Sequence, residues 1–260
     1  MKTAVLLFLV LFVLAWPFSS SGLLAQEEKG DLEDFIDDYD DDESSDSDGA
    51  DFFIWVAIEY LDDFAQLWGK APGTEVGPFP SHPYAEGDGF MADPQSFRSY
   101  FFNTELSYQY LSEDLTALVL KWETQFVHRS KLSFDFAYYQ ETFDSGAKDY
   151  LRFWGGRYGY AVFRSSQVLL NLEVGLRGFT GRISRWGPEL GADLQLFPGK
   201  PVVIETELAA AYVGNGPLYT VESSAGVLLG RFEFLAGIRI LKNKSVDLLD
   251  GFRVGLRVWY

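Results

Sequence analysis

The chain has 260 residues, 23% of them charged and 17% aromatic, with a formal net charge of -17 and no cysteine. The lack of thiols excludes a disulfide framework, a thiolate metal site, a catalytic cysteine and a lipidated N-terminal cysteine. An acidic surface repels phosphates, which argues against a nucleic-acid partner.

Lys2 is followed by an apolar run from Ala4 to Trp16, then Pro17 and the small residues Ser19, Ser20, Ser21 and Gly22. That order predicts a secretory signal peptide over residues 1–25, cleaved near Ala25 or alternatively at Gly22. The apolar run falls short of the ~20 residues that a spanning helix needs. No later stretch is long and apolar enough for such a helix, so any membrane crossing has to use strands.

Residues 26–51 hold 14 carboxylates against Lys29, whereas residues 97–260 hold 17 acidic and 18 basic residues. The acidic run from Asp37 to Asp48 repels itself and has nothing apolar to bury, so the segment 26–51 is expected to be disordered. Asp46, Asp48 and Gly49 imitate part of a calcium loop. Ser44 stands where the first acidic ligand belongs and Trp55 where the terminal glutamate belongs, so no metal site is expected. Weak contact with divalent cations or basic proteins is the expected role of this arm.

Residues 52–68 carry Ile54, Ile58, Leu61, Phe64, Ala65 and Trp68 at helical spacing, predicting an amphipathic helix that lies on the membrane rim, partly plugs a barrel, or simply packs. Residues 69–96, with Pro72, Pro78, Pro80, Pro83 and Pro94, read as a linker. His82 falls within it.

From residue 97 to 260 a period of two takes over. Large apolar and aromatic residues such as Tyr100, Phe102, Leu106, Tyr108 and Tyr110 alternate with polar ones. Tyr158, Tyr160 and Val162 are assigned to the outer face of the fourth strand. The pattern predicts an all-β fold, a closed antiparallel transmembrane β-barrel of about ten strands (range about 8–12), preceded by the acidic arm and the short helix. The inward charges would be Glu105, Lys121, Glu123, Asp135 and Arg157 on the first four strands. Glu173, Arg177, Glu189, Asp193, Glu205 and Glu207 would follow on the next three, and Glu222, Glu233, Arg239, Arg253 and Arg257 on the last three. Tyr108, Tyr110, Trp122, Tyr138, Tyr158 and Tyr160 fit interfacial girdles. The connections sort into tight turns at Arg129-Ser130-Lys131, Arg164-Ser165-Ser166, Pro198-Gly199-Lys200 and Gly230-Arg231, and mostly longer loops at the other end, of which only Ser112 to Asp114 is short. In such barrels the short turns are periplasmic, placing both termini there.

Phe252, Val254, Leu256, Val258 and the terminal Tyr260 resemble the closing strand of Gram-negative outer-membrane β-barrel proteins. Phenylalanine is the commoner last residue in that family, and tyrosine is a departure within the aromatic pattern. The resemblance implies outer-membrane lipid as the surroundings and the barrel-assembly machinery as a partner of this strand. It identifies an architecture without a specific function.

Ten strands predict a narrow or filled lumen. The mixed inward charges are therefore read first as a structural salt-bridge network, and second as the lining of a narrow pore gated by the N-terminal segment. A barrel-embedded hydrolase is the remote reading: His82 lies in the linker and His128 at the turn end of the second strand, with no GxSxG or HExxH motif nearby. No enzyme activity and no cofactor are expected.

Overall fold

Alternating apolar and polar residues, rich in aromatic and β-branched types, pair into ten antiparallel strands. These are β1 (Tyr100–Tyr110), β2 (Leu115–Phe126), β3 (Ser130–Thr142), β4 (Lys148–Arg164) and β5 (Val168–Thr180). They continue with β6 (Ser184–Gly199), β7 (Val202–Val213), β8 (Gly216–Leu229), β9 (Phe232–Lys242) and β10 (Leu249–Trp259). The computed structural model describes residues 30–37, 79–85, 89 and 98–260, apart from 127, 144, 215 and 244–248.

Each strand pairs with its sequence neighbours, and β1 pairs with β10, so the sheet closes on itself. The seam runs in unbroken register from Asn103↔Trp259 to Tyr110↔Phe252. Closure leaves no unpaired strand edge. Strands of 11 to 17 residues exceed the ~9–11 that a tilted strand needs to cross the hydrocarbon layer.

The distribution of residues is the reverse of a water-soluble barrel. Leu106, Leu118, Leu120, Phe134, Phe136, Phe234, Phe252 and Val254 are exposed on the outside, while charged side chains are buried within. That arrangement suits lipid outside and a polar interior. Tyr108, Tyr110 and Tyr138 lie toward the loop end, where Tyr138 stacks on Tyr150, and Tyr158 lies toward the turn end.

The fourth strand departs from the simple alternation. A bulge between Ala161 and Phe163 shifts the register against β5, turning Ala161 and Arg164 inward and Phe163 outward. Val162 is the extra residue there, and Tyr160, assigned outward with Tyr158, is buried.

The tight turns span residues 127–129, 165–167, 200–201 and 230–231. The opposite connections span 111–114, 143–147, 181–183, 214–215 and 243–248, and the last four are shorter than the sequence reading because the strands run further. Both β1 and β10 have their outer chain ends, toward Tyr100 and Trp259, at the turn end.

Part of the acidic arm is ordered, which corrects the expectation of disorder for residues 31–37. Helix α1 (Asp31–Asp37) buries Leu32, Phe35 and Ile36 against the barrel's loop end. Apolar residues at i, i+3 and i+4 supply the single buried face that the acid count had obscured. The rest of that arm, the expected signal peptide, and the expected helix at 52–68 lie outside the described residues.

Candidate functional site: the lumen

The inward-facing residues form three tiers along the barrel axis. At the loop end Leu115, Leu151, Phe153, Phe179, Val213, Leu218, Leu241 and Leu249 make an apolar ring. At the turn end Phe101, Leu169, Phe197, Val203, Leu228 and Trp259 make a second. Between them lies a belt of charge.

All sixteen charges assigned inward from the sequence are buried in that belt. Each has an opposite charge within 4.0 Å, and with Lys131, which links Glu123 and Asp193 to the rest, they form one connected network. Arg177 donates Nε and Nη2 to Glu189 Oε1 at 3.0 and 2.8 Å and also pairs with Asp135. Arg157 reaches Glu207 at 2.5 Å and Glu173 at 3.3 Å. Lys121 bridges Glu207, at 3.0 Å, to Glu222. Arg253 links Glu222, at 2.7 Å, to Glu105, at 2.8 Å. Arg257 joins Glu105 to Glu205 and Glu233, and Arg239 stands 3.6 Å from Glu222 and 3.7 Å from Asp135.

One member escaped the sequence reading. The sequence pattern puts Lys131 in a turn, yet it is buried in the belt and its Nζ lies 2.9, 2.9 and 2.7 Å from Glu123, Glu173 and Asp193. Its parity with Ser133 and Asp135 was the available signal. With Lys131 the belt holds seven cations and ten carboxylates. Paired charges of this kind avoid the penalty of isolated buried ions, several kcal/mol each.

A cavity of about 10 Å³, lined by residues that include Asn103, Glu123, Gln125, Lys131, Gln195 and Trp259, has room for roughly one water. Asn103 and Gln195 donate to Glu123 and so extend the belt with neutral groups.

Two pieces of the N-terminal segment cover the two ends. At the turn end Phe79 stacks on Phe101, 5.7 Å between centroids, and Phe101 packs on Trp259 at 4.9 Å. The guanidinium of Arg164 lies 4.2 Å over the Phe79 ring. The Tyr84 hydroxyl donates to the Val202 carbonyl at 2.6 Å and accepts from the Gly199 N–H at 3.2 Å. Burial pushes its pKa up, which keeps it a donor.

At the loop end Phe35 of α1 meets Phe153 and Phe179 edge-on, at 5.5 and 5.8 Å. Glu141, near the end of β3, accepts from the backbone N–H groups of Asp31 and Leu32 at 2.9 and 3.2 Å. Burying three large apolar side chains contributes roughly 5–9 kcal/mol, and the two charge-assisted bonds about 3 more. Fixing the backbone of a short helix costs about 1–2 kcal/mol per residue, so the two sides nearly cancel.

His128 is exposed on the turn between β2 and β3, and His82 lies beside Ser81, 3.2 Å from its hydroxyl, so the structure brings neither into the charge belt. Among the described residues no group of three or more His, Cys, Asp or Glu is arranged to hold a metal ion.

The closed ladder, the apolar exterior and the polar interior define an outer-membrane type of β-barrel. No family model and no curated protein matches the sequence. Among solved structures, the chain is similar to the outer-membrane protein Ail of Yersinia pestis at 12% identity, covering 63% of this chain and 100% of Ail, with a TM-score of 0.36. The β domain of the Bordetella autotransporter BrkA gives 9% identity, 62% and 98% coverage, and a TM-score of 0.36. CdiB from Acinetobacter baumannii gives 11% identity and a TM-score of 0.33; the match covers 60% of this chain and only 40% of CdiB.

Proposed function

We propose that the protein is an integral outer-membrane barrel whose lumen is a closed, charge-paired core. The supporting observation is the stacking of tiers: apolar rings at both ends enclose a belt of paired charges. A conducting path needs continuous water, and the cavity beside Lys131 and Trp259 has room for about one molecule. In this reading the turn end faces the periplasm, residues 1–25 direct export, β10 with Tyr260 is recognised during barrel assembly, and the protein is not an enzyme.

The second reading is a narrow pore gated by the N-terminal segment. It draws support from α1 and Phe79 covering opposite ends. Single-channel recording of the refolded mature chain in planar bilayers, with and without residues 26–96, separates the two. Silence from both, with strand-rich circular dichroism, fits the closed core. Discrete openings that appear or grow on truncation would replace it with the gated pore.

A further inference from the structure

The outward face of the barrel is not evenly filled. A groove of about 580 Å³ lies over β2 to β5, walled by Trp122, Phe134, Phe136, Trp154 and Leu176 and floored by Gly156. We propose that this groove and the nearby Arg152 form a seat for one membrane lipid with an anionic phosphate headgroup, an acyl chain lying over Gly156 and the phosphate resting on the guanidinium. The proposal goes beyond the closed-core reading and does not depend on whether the lumen conducts.

Two glycines open the groove. Gly156 faces outward between Phe134 and Leu176 in the ladder, where it leaves the wall without a side chain. A Cβ there would stand 3.2 Å from the Phe134 ring, and one at Gly178 would stand 2.5 Å from the Trp154 indole, so each ring leans over a neighbouring glycine. The walls are apolar and face the hydrocarbon layer, whose own material is acyl chain.

From the groove toward the loop end, the outward residues of β4 are Trp154, Arg152, Tyr150 and Lys148. Arg152 is exposed, its guanidinium 5.9 Å from the centroid of Tyr138, which stacks on Tyr150 at 5.5 Å. Tyrosines of this kind mark the headgroup level, where a charge on the lipid face is tolerated. Arg152 lies four positions from Gly156. That is roughly 13 Å along a strand and about 9 Å in depth at a tilt of about 45°, within the ~15 Å of one leaflet, so a chain anchored at Arg152 covers Gly156.

Charge selects the occupant. Among the described outward-facing residues of β3, β4 and β5, the charged ones are Lys148 and Arg152, both positive. A second copy docked here about a twofold axis would set positive charge against positive charge, whereas a phosphate accepts two parallel hydrogen bonds from a guanidinium.

The test is native mass spectrometry of the full mature chain refolded in detergent, titrated with phosphatidylglycerol or with zwitterionic phosphatidylcholine of the same acyl chains. One phosphatidylglycerol is expected to bind saturably, roughly fivefold or more tighter than phosphatidylcholine. Arg152→Gln should abolish that preference, and Gly156→Leu, which fills the groove, should weaken binding of both lipids severalfold. Both variants should keep the strand-rich circular dichroism of the parent. Equal affinity for the two lipids, binding without saturation, or unchanged phosphatidylglycerol affinity in Arg152→Gln or in folded Gly156→Leu overturns the proposal. A dimer that Gly156→Leu dissolves would give the groove to a second copy and overturn it as well.

A second measurement locates the chain. Bromine quenches tryptophan emission, so phosphatidylglycerol brominated along its acyl chain, mixed into phosphatidylcholine vesicles holding the protein, should give quenching that saturates at low mole fraction. Trp122→Phe/Trp154→Phe should remove the saturating part. A purely linear dependence in the parent, or a saturating part that survives the double substitution, overturns the proposal.

Discussion

Glu105 and Arg257 face each other across the seam that closes the barrel. They are Cα partners in the β1–β10 ladder, and Oε2 of the glutamate accepts from Nε and Nη2 of the arginine at 3.2 and 2.6 Å. The same carboxylate holds Arg253 through its other oxygen at 2.8 Å. One buried acid therefore ties the first strand to two rungs of the last.

Breaking that pair should be costly because it leaves buried charge without compensation. Glu105→Ala is expected to destabilise the barrel by about 3–5 kcal/mol. Arg257→Ala should cost at least as much, since Glu205 and Glu233 also depend on it. The loss is read as a lower temperature for disappearance of the compact band on unboiled SDS gels.

Trp259 seals the turn end and donates Nε1–H to Glu233 at 2.8 Å. Trp259→Phe keeps a ring against Phe101 but removes the donor, an expected loss of about 1–3 kcal/mol. Trp259→Ala also opens a cavity and should cost about 3–5 kcal/mol. Denaturant unfolding followed by tryptophan-independent circular dichroism would distinguish the two variants.

The Tyr260 ring stacks on Phe102, 4.5 Å between centroids, and its N–H donates to the Phe102 carbonyl at 2.9 Å. Deleting Tyr260 should reduce assembled protein in cell membranes, and Tyr260→Phe should restore it. Refolding in detergent provides the comparison. A deficit confined to cells supports recognition of the last residue during assembly, and an equal deficit in detergent reduces its role to the stacking contact.

Two glycines should behave oppositely. A Cβ at Gly175 would lie 2.1 Å from the Gly156 carbonyl oxygen, a backbone atom that cannot step aside, whereas a Cβ at Gly199 would meet nothing within 4 Å. Gly175→Ala is expected to cost about 1–3 kcal/mol through forced backbone movement. Gly199→Ala should leave the melting temperature nearly unchanged.

Much of this was legible from local pattern. Side chains alternate across a strand with a period of two, so Glu105, Asp135, Arg239 and the other inward charges could be assigned to one face without knowledge of their partners. Where the period broke, the pattern could not be carried on: the bulge after Ala161 turned Phe163 outward and Arg164 inward. Lys131 was missed because its strand starts at Ser130, closer to the turn than composition suggested.

The amino-acid sequence by itself determined the antiparallel barrel architecture and the two faces of the strands, with a count of about ten, because each follows from alternation along a segment and contacts between neighbouring segments. Only the tertiary structure decided which carboxylate meets which guanidinium and that both ends of the lumen are apolar. It also decided that α1, which meets Glu141 some 110 residues away, is ordered. Those outcomes depend on strand stagger and on contacts across the barrel, where residues far apart in sequence share a small dry space and opposite charges must find one another.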